Sequence, residues 1–113
     1  MLQASDTIIY PTTDMAAAKA YYTELFGVGP DMDTPYYMSF TVSGRHVGFD
    51  PNGHKRGFTG PVNFWSVENI KETVEKLVDG GGTVVEEPHD VGGGRQVATV
   101  KDADGNLTGF MQG

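Results

Sequence analysis

One pattern occurs twice in this chain, 55 residues apart, and it restricts the fold more than any other feature of the sequence. Thr7 to Gly27 reads as a short strand over Thr7–Tyr10, a polar corner at Thr12-Thr13-Asp14, an amphipathic helix and a glycine stop. Val62 to Gly82 has the same plan. Asp14 then matches Asn69, Met15 matches Ile70, Tyr22 matches Leu77, and Gly27 matches Gly82. A repeat near half of a 113-residue chain is what a duplicated module leaves behind. A chain of this length has enough residues for one proper core and too few for two independent ones. The expectation is therefore a single domain over 1–113, with one module at about 1–54 and a second at about 58–113.

Local chemistry fills in each module. Pro11 ends the first strand by removing a ladder donor, and Thr13 or Asp14 can cap the helix that follows. Met15, Ala18, Tyr22, Leu25 and Phe26 recur at helical spacing, and Gly27 can take the left-handed conformation that closes a helix. A loop from Gly29 to about Pro35 leads into a strand over Tyr36–Val42. Ser43-Gly44 turns it into a second strand, Arg45–Phe49. Asp50–Gly57 is the connector between modules. In the second module Val62–Val67 is a strand. Glu68–Asp79 is a helix with Ile70, Val74, Leu77 and Val78 on one face and a Glu72–Lys76 pair on the other. Gly80-Gly81-Gly82 stops it. Thr83–Val85 is a strand, Glu86–Gly94 a loop, and Arg95–Lys101 with Leu107–Met111 a closing hairpin around Asp102–Asn106. The class is α+β, with one helix covering one face of a small sheet in each half.

Composition excludes several functions. Eight Lys and Arg against fifteen Asp and Glu give a net charge of −7, which argues against a nucleic-acid face. No apolar run approaches the roughly 20 residues of a membrane helix, so no membrane partner is expected. The first residues lack a basic region followed by an apolar core, so a cytoplasmic location is expected. With zero Cys there is no thiol nucleophile and no thiolate metal site. The two Gly triplets miss the Gly-x-Gly-x-x-Gly spacing, because Val85 and Val97 occupy the third Gly position. Asp102-x-Asp104-Gly105 is not a calcium loop, since Val100 and Met111 stand where Asp and Glu are required. No Ser sits in a Gly-x-Ser-x-Gly elbow.

Two motifs carry a family resemblance. Asp14-Met-Ala-Ala-Ala-Lys-Ala-Tyr-Tyr-Thr-Glu-Leu-Phe-Gly27 is similar to the first helix, and Lys101-Asp-Ala-Asp-Gly-Asn106 to the final hairpin turn, of the vicinal oxygen chelate superfamily. That superfamily comprises glyoxalases, bleomycin-resistance proteins, fosfomycin-resistance enzymes and extradiol dioxygenases. Val67-Glu-Asn-Ile70 through Gly81 resembles its second helix. The resemblance implies two βαβββ modules whose mixed sheet curls into a cup (a glyoxalase/bleomycin resistance-like fold). Metal enzymes of the family line that cup with four ligands, usually His or Gln and Glu. Here the corresponding positions are Thr7, Gly48, Val62 and Gly109. None offers an ordinary imidazole or carboxylate ligand, and a slip of one residue restores no such set. The reading is that there is no metal site and no cofactor.

What remains is aromatic. Tyr36, Tyr37, Phe40, Phe49, Phe64, Trp65 and Phe110 fall on expected strands, where alternation sends about half into the cup and half beneath the helices. In the family register Phe64 faces the cup and Trp65 packs under the second helix; one residue of slip reverses this. His46 shares a face with Gly48, and Arg95 or Arg45 can supply a cationic contact. The candidate ligand-binding set is Tyr37, Phe40, His46, Phe49, Phe64, Trp65, Arg95 and Phe110, with no catalytic residue assigned. Three functions fit. The first is a metal-free small-molecule-binding protein of the bleomycin-resistance kind, its ligand aromatic or amphipathic. The second is an isomerase, lyase or dioxygenase-like enzyme with non-standard site residues, His46 acting with Tyr37 or Arg95. The third is an interaction module whose cup is filled by its own side chains. The resemblance also implies a homodimer.

Overall fold

A computed structural model describes residues 2–113. Ten elements follow one another: β1 (Leu2–Pro11), α1 (Met15–Phe26), β2 (Met32–Asp33), β3 (Met38–Val42), β4 (Arg45–Asp50), β5 (Val62–Val67), α2 (Ile70–Asp79), β6 (Thr83–Asp90), β7 (Gln96–Lys101) and β8 (Leu107–Gln112). They form two compact units, Thr7–Val62 and residues 2–6 with Asn63–Gly113, so β1 contributes to both. Among the described residues no helix is long and apolar enough to cross a membrane.

In the unit Thr7–Val62 the strands run in the order β2-β3-β4-β1. β3 and β4 are antiparallel and β1 joins β4 in parallel, with Thr7 beside His46 and Ile9 beside Gly48. The hairpin between β3 and β4 turns on Ser43 (φ 50°) and Gly44 (φ 78°), two successive positive φ angles that match the right-handed twist of the strands. Asp14 accepts a hydrogen bond from Ala17 N at 3.0 Å and so caps α1, while Gly27 (φ 73°) closes it in the left-handed conformation. Met15, Ala18, Tyr22 and Phe26 pack on Met38, Phe40, Val47 and Phe49. Leu25, expected on that stripe, is 65% exposed. About 100° of rotation per residue carries it to the edge of a face centred on Met15, Tyr22 and Phe26.

The other unit has the order β1-β5-β8-β7-β6, and here too a parallel pair, β5 with β8, lies beside antiparallel ones. Asn69 repeats the role of Asp14, accepting from Glu72 N at 3.1 Å. Ile70 and Val74 bury against Val67, Ala98, Val100 and Phe110, with Trp65, Leu77 and Val84 half-buried around them. Val78 is left 44% exposed at the edge of its stripe, as Leu25 is. The expected Glu72–Lys76 pair forms at 3.1 Å.

β3 begins at Met38 rather than Tyr36, which leaves Tyr36 and Tyr37 just outside the strand expected to carry them, and three larger differences stand beside it. β1 begins at Leu2 rather than Thr7, and a short β2 lies inside the expected loop. β6 runs on to Asp90, through residues that read as loop. It is an edge strand, which tolerates Pro88, and two register shifts against β7 at Val84/Glu86 and Glu86/His89 absorb the irregular sequence.

These placements separate core from surface. Phe40→Ala, which empties a site of 0% exposure, is expected to lower unfolding free energy by roughly 3–5 kcal/mol in urea titration, and Leu25→Ala by no more than about 0.5 kcal/mol.

Candidate functional site

Alternation along β3 and β4 decides which side chains escape the core. Met38, Phe40, Val47 and Phe49 point toward α1. Ser39 and Gly48 are paired, as are Thr41 and His46, so these four lie on the opposite face, joined by Thr7 beside His46. Tyr37, just before β3, folds back over Gly48. A Cβ at Gly48 would fall inside the Tyr37 hydroxyl and stand 2.5 Å from its Cζ, so only glycine admits the ring there. Tyr37 Oη lies 3.3 Å from His46 Nε2, and the two rings are near-parallel at 17° with centroids 6.3 Å apart. The hydroxyl donates when Nε2 carries the lone pair and accepts when it carries the proton.

A carboxylate completes this face. Asp31 accepts from Thr41 Oγ1 at 2.6 Å and from Ser39 Oγ at 3.1 Å. The Thr41 hydrogen bond, with smaller help from Ser39, the backbone and the charge of His46, holds the Asp31 carboxyl below the usual Asp range against its slight desolvation. Thr7 and Ser39 are buried, whereas Thr41 and Asp31 are exposed.

The other unit repeats the arrangement with different chemistry. Phe64 pairs with Gly109, and Gly109 with Thr99. A Cβ at Gly109 would fall inside the Phe64 ring, 2.6 Å from Cγ, so this glycine also cradles an aromatic side chain. Phe64 (1% exposed) and Thr99 (0%) are sealed, and Thr99 Oγ1 donates to Glu86 Oε1 at 3.3 Å. The positions where the family resemblance places metal ligands therefore hold a threonine, a valine and two glycines occupied by rings. Thr7, Gly48, Val62 and Gly109 do not suit a divalent ion. Among the described residues no group of three His, Cys, Asp or Glu stands together for one.

The eight candidate residues divide clearly. Tyr37 and His46 are brought together. Phe40 and Phe49 are core beneath α1, their rings packed edge-on at 5.7 Å, and Tyr10 stacks on Phe49 at 5.1 Å. Trp65 and Phe110 share the α2 side, while Phe64 takes the opposite face. Arg95 is exposed in the β6–β7 loop, where its backbone N donates to Gly92 O and its carbonyl accepts from Val91 N. Sequence reasoning missed Asp31, Ser39, Thr41 and the Thr99–Glu86 pair. For Ser39 and Thr41 a signal existed, since they alternate with Met38, Phe40 and Val42.

With this geometry in view, similarity to known proteins fixes the class. The chain belongs to the Glyoxalase/Bleomycin resistance protein/Dioxygenase superfamily, whose sequence model matches residues 4–110. It is 33% identical over 111 residues to CFP32, a provisionally named glyoxylase, of Mycobacterium bovis and Mycobacterium tuberculosis. The match covers 89% of this chain and 42% of the relative, so the chain spans less than half the length of the curated relatives it matches. Among solved structures, a member of the same superfamily from Vibrio splendidus superposes with a TM-score of 0.73 at 14% identity, covering 94% of this chain and 95% of that one. A methylmalonyl-CoA epimerase from Streptomyces coelicolor gives 0.71 at 13% identity, covering 99% and 95%. At such identities the likeness is one of fold.

Two predictions follow from the crowding and the hydrogen bonds. Gly48→Ala is expected to displace Tyr37 and cost about 1–3 kcal/mol, and to cost almost nothing in a Tyr37→Ala background; denaturant titration of the four proteins measures this coupling. Thr41→Val is expected to raise the Asp31 pKa toward the ordinary carboxylate range, read by carboxyl carbon NMR. A lowered folded-state pKa stabilises above the unfolded value and is lost as pH falls through the folded one. The variant should therefore lose less stability than the parent on acidification through that window.

Proposed function

We infer that this chain is a metal-free small-molecule-binding member of its superfamily, and that its ligand is aromatic or amphipathic. The observation that carries this reading is Tyr37 lying over Gly48 with its hydroxyl at His46: an aromatic face with directed polar groups stands where the resemblance places a metal ligand. Tyr37 and His46 are half-buried, so each can contact a ligand while its neighbours hold it in place. A planar molecule gains from stacking on Tyr37, and the hydroxyl, imidazole and Thr41 offer hydrogen bonds at the ring's edge.

The Tyr37–His46 contact also favours a second reading, metal-independent proton transfer of the isomerase or lyase kind. A neutral imidazole accepts a proton from a bound substrate at Nε2, and the Tyr37 hydroxyl beside it can donate to a developing oxyanion. The two readings part on one variant. His46→Gln keeps a hydrogen-bonding group: a binding protein retains most of its affinity, whereas an enzyme retains binding and loses turnover.

Thermal melting with a panel of aromatic metabolites and natural-product antibiotics tests the first reading. A ligand at about a hundred times its dissociation constant adds roughly 2.7 kcal/mol to the folded state, a rise of several degrees. Tyr37→Ala is expected to abolish that rise, and Trp65→Phe to leave it intact. A rise that survives both Tyr37→Ala and His46→Ala would place the ligand elsewhere and contradict the assignment.

A further inference from the structure

The glycine triplet after α2 is only partly explained by helix termination. Gly81 holds φ 103°, and at Gly82 a Cβ would stand 2.9 Å from the Leu77 carbonyl oxygen and 3.0 Å from Val100 Cγ1. Gly80 has neither reason. Its φ of −85° suits any residue, and a Cβ there would meet nothing nearer than 3.6 Å. Gly80 borders a cleft of about 270 Å3, between the end of α2 and the β7–β8 turn.

Leu77, Val100 and Phe110 give this cleft an apolar floor, and Lys76, Lys101 and Thr108 border it. The ammonium of Lys101 makes no ion pair among the described residues. Lys76 is paired with Glu72, but both side chains are more than half exposed, and such a pair contributes little and is easily redirected. Two negative features of the cleft are already engaged. The Asp102 carboxylate accepts from the backbone N–H groups of Asp104 and Asn106, each at 2.9 Å, and from Asn106 Nδ2 at 3.1 Å. The carbonyls of Lys76, Leu77 and Val78 at the end of α2 accept from Gly80, Gly82 and Gly81. Asp102 keeps its negative charge, so the lining sets two ammonium groups against one carboxylate whose oxygens are already hydrogen-bonded, beside an apolar floor.

We propose that this cleft is a second binding site, for a small amphipathic carboxylate, with its apolar body on Leu77, Val100 and Phe110 and its carboxylate held by Lys101 and Lys76. The volume lies just under the roughly 300–1,000 Å3 of drug-sized sites, so the ligand is of the size of a bicyclic aromatic acid or a medium-chain fatty acid. The Thr108 hydroxyl donates a further hydrogen bond at the border. Its lining shares no residue with the Tyr37–His46 face.

The test is an NMR titration of the 15N-labelled full chain with 2-naphthoate and with its neutral analogue 2-naphthylmethanol. The expected result is saturable shifts of the Gly80, Gly81, Ala103 and Thr108 amides with 2-naphthoate, and binding about tenfold weaker for the alcohol. Lys101→Met is expected to weaken 2-naphthoate by about tenfold. Gly80→Phe, at a position its backbone tolerates, fills the cleft and abolishes the shifts. Equal affinity for acid and alcohol, an unchanged affinity in Lys101→Met, or shifts confined to residues around Tyr37 and His46 would each overturn the proposal.

Discussion

A strand can give only every second side chain to the helix that covers it, and that rule decides what each half of this molecule has left for chemistry. β3 and β4 spend Met38, Phe40, Val47 and Phe49 on the core beneath α1. The opposite row is Ser39, Thr41, His46 and Gly48. β5, β7 and β8 spend Trp65, Ala98, Val100 and Phe110 on α2, and the opposite row contains Phe64, Thr99 and Gly109. In both rows a glycine lies under an aromatic ring, Tyr37 in one and Phe64 in the other. A position without a side chain supplies no ligand atom, and the ring above it occupies the space one would need. Chemistry on these faces is left to hydroxyls, an imidazole and carboxylates.

The two copies of one plan have drifted apart. Both helices start with the same device, a short polar side chain bonded to the backbone N–H three residues on. Their ends differ: α1 runs 12 residues to a left-handed Gly27, while α2 stops after 10 and passes into three glycines that line the cleft beside Leu77. Their free faces differ as well. Phe64 and Thr99 are sealed, whereas Tyr37 and His46 are half-buried and reachable. The functional reading therefore rests on Thr7–Val62.

Much of this was legible in the chain, for physical reasons. Helix caps, turn glycines and apolar spacing are local, so Asp14, Asn69, Gly27 and Gly44 announce themselves. Strand ends do not, because a ladder partner far along the chain pays for residues that locally read as loop. That is why β6 extends through Glu87 and Pro88 and why β1 begins at Leu2. Of the site, the sequence offered Tyr37 or Arg95 as the partner of His46, and the contact that forms is with Tyr37. The division of Phe40, Phe49, Trp65 and Phe110 from Phe64 needed strand parity, which a single-residue slip reverses. Asp31 was invisible: its partners Ser39 and Thr41 lie eight and ten residues onward, and in sequence it belongs to a Gly-Pro-Asp turn.

The account stands on the claim that Thr7, Gly48, Val62 and Gly109, two of them glycines lying under aromatic rings, hold no metal ion. Titration calorimetry of the purified, chelator-treated protein with Ni(II), Zn(II), Mn(II) and Fe(II) tests that most directly. The account predicts no stoichiometric binding at micromolar concentration. One ion bound per chain at that level, lost on substitution of Thr7 or His46, would contradict it.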